Sequence, residues 1–289
     1  MALTPAEARG RPEPDNDGLF GPASVTWRLA EPVMWVAGIR ALYLQALDPR
    51  TMFGTWQNSA LVQRHEAWAR FLRTTEFVRT RTYGTTAEAE RAGRRVRKIH
   101  ASLTGTDADG TVFRLDDPEQ LLWVHCAEVD SYVNICRRCG IGATPGQLDA
   151  FVDEQRRSAA LVGLDPAKVP ASVAELDAYY AVARRRARAV AEAKKSLVMT
   201  FNPPVPPALL PLKLVAPPVN TLAFAALPRW ARKLYGAPGS PVTDVATTAA
   251  LRGLYQATRV VPARLRHTPT VRNARRIIRE HERHQDAAP

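Results

Sequence analysis

The chain has 289 residues, 46% of them hydrophobic and 24% charged, which suffices for a buried core and excludes a wholly disordered polypeptide. Its 16 Gly, 23 Pro and 3 Cys exclude a collagen-like repeat and a disulfide-stapled secreted domain, and so few cysteines point to a reducing compartment. Forty basic against 28 acidic residues give +12, which asks for an anionic neighbour: nucleic acid, an acidic membrane surface or an acidic small molecule.

From the N-terminus, residues 1–18 are polar and Pro-rich, without the apolar run of a secretory signal, so a cytoplasmic protein is expected. Pro32 opens an apolar run to Leu47 that is hydrophobic nearly all round and reads as a buried central helix, ended by Asp48-Pro49. A second helix is predicted over 64–83, up to Gly84. A third begins after Thr85-Thr86 and runs to Leu103, with Ala92, Val96, Ile99 and Leu103 as its apolar stripe. Asp109-Gly110 beside Thr111-Val112-Phe113 suggests a small hairpin. Asp117-Pro118 with Gln120, and Thr144-Pro145 with Gln147, mark two helix starts, the first helix stopping at Gly140. Ser172 with Glu175 opens a further helix, expected to continue through Lys195. Two or three shorter helices and a basic, polar tail over 270–284 follow.

Residues 197–228 are almost free of charge, yet they hold eight prolines. Each proline removes a backbone donor, so a bilayer-spanning helix is not expected. An apolar segment packed on the body or lying on a membrane surface fits better. With no sustained period-two pattern and no internal repeat, the chain reads as all-α.

Several chemistries are missing. There is no P-loop, no dinucleotide fingerprint and no His-Glu-x-x-His. Cys136-x-x-Cys139 lacks a second pair or a His at zinc spacing, and reads as packing at a helix end. Three clusters remain. Arg70, Arg73, Thr74 and Phe77 share one helix face, which is either a solvated basic face or a polar wall of a pocket. His100 sits beside the stripe of the third helix. His125, among Leu121, Leu122, Val129 and Tyr132, faces inward. Each histidine reads either as a core imidazole satisfied by a carbonyl or as an axial ligand to haem iron, which takes a neutral imidazole projecting from a helix.

Taken in order, the motifs resemble the catalytic domain shared by latex-clearing rubber oxygenases and the membrane-bound oxygenase of mycophenolic acid biosynthesis. The resemblance spans Asp17 to Arg232. It is carried by Asp17-Gly18-Leu19-Phe20-Gly21-Pro22 with Ser24 and Trp27, Arg40-Ala41-Leu42, Leu44-Gln45-Ala46-Leu47, Trp68, Arg70-x-x-Arg73-Thr74, Tyr83-Gly84-Thr85, Ile99-His100-Ala101 and Asp116-Asp117-Pro118 leading to Leu122-Trp123-Val124-His125. It implies a disordered polar N-terminus over 1–16, a catalytic domain over 17–235 and a helical C-terminal extension with a basic tail over 236–289. It also implies a globin-like core holding haem b, with His100 as proximal ligand and Arg70, Arg73 and Thr74 on the distal side. His125 is the alternative ligand. Arg70 is the candidate partner of a haem propionate, and Thr74 a hydrogen-bond donor toward dioxygen.

The implied chemistry is oxygenation of an apolar, isoprenoid or lipid-like substrate by dioxygen. Three departures bear on it. Arg73 stands where the family has Lys, and a protonated guanidinium does not ligate iron, so no protein ligand is expected opposite His100. Asp48 stands before Pro49 where relatives have His. Residues 51–65 hold no Asp or Glu to act as the rubber oxygenases' upstream base. Rubber cleavage itself is therefore not expected. The competing reading is a non-enzymatic helical binder that uses Arg184-Arg185-Arg186, Arg188, Lys194, Lys195 and the tail arginines on nucleic acid or an acidic membrane. No helix-turn-helix or zinc-finger spacing supports specific nucleic-acid recognition.

Overall fold

The computed structural model describes residues 18–58, 64–203 and 205–287. The segment 1–16 and Asp17 of the first motif lie outside the described residues. The architecture is all-α, as expected, with one two-stranded hairpin among the described residues. In chain order come α1 (Val25–Arg28), α2 (Met34–Gln45), α3 (Pro49–Asn58), α4 (Arg64–Tyr83), α5 (Thr86–Ser102), β1 (Thr104–Thr106), β2 (Val112–Arg114), α6 (Pro118–Cys139), α7 (Pro145–Leu161), α8 (Val173–Ala183), α9 (Ala191–Phe201), α10 (Leu212–Ala225), α11 (Arg229–Leu234), α12 (Pro241–Val260), α13 (Ala263–Arg266) and α14 (Pro269–Asp286).

The starts predicted from capping residues are where the sequence put them, because each supplies an acceptor for N–H groups that the first turn leaves unpaired. Thr85 Oγ1 accepts from Glu88 N at 3.2 Å while Glu88 Oε2 accepts from Thr85 N at 2.9 Å. Asp117 Oδ1 accepts from Glu119 N at 2.8 Å, and α6 ends at Gly140 with φ +69°. Thr104 pairs with Arg114 and Thr106 with Val112 in the antiparallel hairpin.

α6 is the axis of the core. Trp123, Cys126, Ala127, Val129, Val133, Ile135, Cys136 and Cys139 are buried along it, and α2 packs against it more extensively than any other pair of helices. The three cysteines are free; burial pushes Cys136 up to about 11 and Cys139 to about 12, so neither is a reactive thiolate near neutrality. Polar ties cross this core. The Arg40 side chain is 1% exposed; its Nη1 donates to Asp130 Oδ2 and Ser131 Oγ, each at 2.7 Å, and its Nε to Ala226 O at 3.0 Å. One guanidinium thus joins α2, α6 and the end of α10. Leu251 and Tyr255 of α12 belong to the same core, and α14 closes on the N-terminal turn, where Ala274 and Ile278 pack with Phe20 and Trp27.

Three expectations change. The stretch after Asp48-Pro49 forms α3: Asp48 Oδ1 accepts from Thr51 N at 2.7 Å, so Asp48 caps a new helix rather than merely ending the old one. The helix expected from Ser172 through Lys195 is two helices, α8 and α9. Ala187 is buried between them, and Arg188 N donates to Leu47 O at 2.8 Å, so a tertiary hydrogen bond outweighs local helix propensity. The prolines, which argued only against a bilayer-spanning helix, do not prevent a short one: Pro217 and Pro218 lie inside α10. The carbonyls their missing N–H groups release belong to Lys213 and Leu214, at exposed positions of the first turn. Asn220 stiffens the following turn by donating to Ala216 O at 2.7 Å and Thr200 O at 2.9 Å. Lastly, the packed face of α5 is rotated by about one residue from the predicted stripe: Ala89 and Gly93 are buried and Ile99 is exposed. Small residues let α5 approach closely; a Cβ built on Gly93 would lie 2.7 Å from Leu161 O. Positions 89, 93, 96 and 100 have spacings of four, three and four, so His100 stands on this packed face rather than beside it.

Candidate functional site

α4 carries the basic cluster and α5 runs back along it. The C-terminal end of α4 is fastened to the body. Arg81 pairs with Glu128 of α6, and Trp27 Nε1 donates to Thr82 O at 2.7 Å. Farther up, Phe71 stacks on Trp68 at 5.5 Å between ring centroids and touches Trp35 of α2 at 6.2 Å. Trp35 is 55% exposed, Leu42 on the same face of α2 is exposed as well, and a Cβ on Gly38 between them would meet nothing within 4 Å. The α2 face opposite α4 is therefore apolar and open.

Arg70 and His100 interact across the α4–α5 pair. Burial disfavours the charged His100 imidazolium, the Arg70 cation disfavours it further, and Asp116 opposes both; the net direction is down, so the ring is neutral at pH 7. His100 Nδ1 is buried and has no hydrogen-bond partner among the described residues. Arg70 is half-buried. Burial, then repulsion from Arg73, lowers its pKa, and its nearest acceptors are Thr55 O and Thr55 Oγ1 at 3.5 Å each, beyond good hydrogen-bonding distance. No described carboxylate pairs with it. The buried Nδ1 without a partner is costly unless a ligand satisfies it, and the Arg70 cation near the ring has no described carboxylate to balance it. Arg73 and Thr74 are exposed, and Thr74 Oγ1 donates to Arg70 O at 3.1 Å, a back-bond along the helix.

His125 is elsewhere. It is buried on α6 beside Arg81, eleven residues and about 16 Å along α4 from Arg70. Burial, helped by the Arg81 cation, pushes its pKa down to about 3. The unfolded imidazole titrates near 6.5, so between about pH 6.5 and 3 the unfolded chain binds a proton that the native state refuses. Native stability from this group is complete above pH 6.5 and falls by about 1.4 kcal/mol per pH unit below it. Chemical denaturation from pH 7 to 4 is expected to show that slope in wild type and a shallower one in His125→Gln; equal slopes would remove His125 as the cause.

Two surface clefts, of about 790 and 270 Å³, are lined by charged residues such as Arg94, Arg97, Arg156 and Arg157 in the first and Arg79, Glu88 and Arg91 in the second. Neither is lined by Arg70, His100 or His125; Leu19, Ala160, Leu161 and Pro166 share the first with its arginines. The basic residues of the binding alternative are partly tied up: Arg186 pairs with Glu119, Arg275 with Glu31 at 2.6 Å and Arg276 with Glu280 at 2.8 Å. Among the described residues no three His, Cys, Asp or Glu side chains are grouped to hold a metal ion, and no helix is long and apolar enough to cross a membrane.

A sequence model of the family described as "ER-bound oxygenase mpaB/B'/Rubber oxygenase, catalytic domain" matches residues 26–260. The chain belongs to this oxygenase family. No curated protein and no solved structure matches the chain. Membership in the mpaB/rubber oxygenase family makes it an oxidoreductase that uses dioxygen and a substrate. The matched residues take in α2, α4, α5 and α6, hence Arg70, Arg73, Thr74, His100 and His125, and run past residue 235 to the end of α12.

Proposed function

We propose that the chain is a haem b-dependent oxygenase acting on an apolar, isoprenoid or lipid-like substrate, with His100 as the axial ligand and Arg70 as the partner of a propionate. The observation that supports this reading is the nearness of His100, a neutral imidazole with a buried, partnerless nitrogen, to Arg70, a half-buried cation without a described carboxylate. Haem fits both: its iron takes one neutral imidazole, and its propionates are anions. The lowered pKa of His100 keeps the nitrogen lone pair free at neutral pH.

Bound haem would supply the activation of dioxygen for attack on a carbon–carbon double bond of the substrate. The chain's own residues bind and orient. Arg70 holds the acidic edge of the cofactor and keeps the distal wall positive. The open apolar face of Trp35, Gly38, Leu42 and Phe71 would take hydrocarbon, which would cover it from water. Thr74 supplies a hydroxyl that can rotate from Arg70 O toward a polar ligand. Arg73, exposed and permanently protonated, would not itself bind the iron. A reducing compartment suits three buried free thiols.

Arg70→Ala is expected to weaken haem retention by about 10–100-fold, the loss of one charge-assisted pair worth ~1.5–3 kcal/mol, whereas Thr74→Val retains haem and changes turnover. Haem-transfer titration of the wild type and both variants, with labelled-dioxygen incorporation into an isoprenoid alkene, tests the assignment. Equal haem retention in all three, or haem-loaded wild type that incorporates no label into any isoprenoid or lipid alkene, contradicts it.

A further inference from the structure

From Ala193 to Thr243 the chain contains no acidic residue, but it contains Lys194, Lys195, Lys213, Arg229, Arg232 and Lys233. Arg229 and Arg232 are spent on Asp244, at 2.6 and 2.5 Å, and Lys195 lies 6.0 Å over the Trp56 ring. The same stretch exposes its apolar side chains. Val198 on α9 is 70% exposed, and at the start of α10 Leu210 is 53%, Leu214 81% and Val215 54% exposed. Lys194 and Val198 lie one turn apart on one face of α9, and Lys213 sits among the leucines of the α10 turn.

This is not a loosely held segment. Tyr43 donates to Asn220, Asn220 Nδ2 donates to Thr200 O at 2.9 Å, and Tyr235 Oη donates to Tyr43 O at 2.7 Å, so α9 and α10 are locked to α2 with the leucines turned outward. Leu197, Val219, Leu222 and Phe224 meanwhile pack on the core. A segment that presents four or five large apolar side chains beside exposed lysines, with no acid for fifty residues, has the composition of an interfacial membrane anchor.

We infer that the α9–α10 turn docks the protein on an anionic bilayer surface, Leu210, Leu212, Leu214 and Val215 entering the headgroup–acyl boundary and Lys194, Lys195 and Lys213 contacting acidic headgroups. The lysines complement the negative charge of such a surface, and a helix too short and too proline-rich to span it lies in its plane. The inference does not depend on haem binding.

The test is co-sedimentation of the full-length protein with phosphatidylcholine vesicles with and without phosphatidylglycerol. Wild type is expected to partition onto the anionic vesicles. Leu210→Ser/Leu212→Ser/Leu214→Ser is expected to partition about tenfold or more weakly at any salt concentration. Lys194→Gln/Lys195→Gln/Lys213→Gln is expected to lose the salt-sensitive part of the binding. All six side chains lie at exposed or half-exposed positions, and unchanged helical circular dichroism verifies the fold. Absence of wild-type binding, or equal binding by wild type and the leucine variant, overturns the inference. So does a wild-type dimer that becomes monomeric in the leucine variant, since a second copy would then cover this face.

Discussion

His100→Ala is expected to leave the protein folded and without haem. The side chain contributes little to the apo fold: Nδ1 is buried without a partner, which costs stability and offsets the packing lost on truncation. Its proposed value is as a ligand. Without it, only Arg70 and apolar contacts would hold the cofactor, and haem content is expected to fall to background after gel filtration. His125→Ala is the control with the opposite pattern. His125 lies beside Arg81 in the core, so its loss opens a cavity and lowers the melting temperature while haem content holds. Haem content and thermal unfolding of the two variants together separate the two histidines. A fully pigmented, spectrally unchanged His100→Ala protein would move the axial role to His125.

Arg40→Ala is expected to be the most destabilising single substitution near the site. The side chain is almost fully buried and binds three groups on two other elements; its removal leaves Asp130 uncompensated, Ala226 O without this donor, and a cavity. Breaking a buried pair from one side costs about 3–5 kcal/mol, a large share of the ~5–15 kcal/mol that holds a domain folded. Arg40→Met/Asp130→Leu, which replaces both charges with apolar groups of similar length, is expected to recover most of that loss. Urea denaturation of the wild type and both variants measures it. A loss under about 1 kcal/mol in Arg40→Ala would show that the guanidinium is not the tie described above.

Helix starts were legible because they are local chemistry. Thr85 with Glu88 and Asp117 before Pro118 satisfy nearby N–H groups, and the structure uses them so. The end of α8 was not legible, because nothing in Arg184-Arg185-Arg186 breaks a helix; the break follows from Arg188 N bonding to Leu47 O, more than a hundred residues away in sequence. The prolines argued only against a bilayer-spanning helix; α10 forms because Pro217 and Pro218 fall one turn after its start, where the carbonyls they orphan are at exposed positions. Asp48 before Pro49 carries both signals, the stop of α2 and the start of α3, and the apolar run before it shows only the first.

The site was legible in its parts. His100 could be picked as a half-buried imidazole, but the stripe beside it was misplaced, because the face α5 packs is made of Ala89 and Gly93 rather than its largest apolar residues. That Arg70 bears on His100 needs the α4–α5 pairing, and that Trp35 faces Phe71 needs α2 beside them; no spacing within one helix encodes either. Arg40 showed in the sequence only as part of a motif, since an arginine's burial depends on partners from other elements.

The most direct test of the central claim is the haem content of the full-length wild-type protein, purified after expression with added haem precursor and measured as its pyridine haemochrome. About one haem b per chain, with a Soret band that His100→Ala lacks, is the predicted result. Colourless, folded protein that neither carries haem from the cell nor takes up hemin on titration would contradict it.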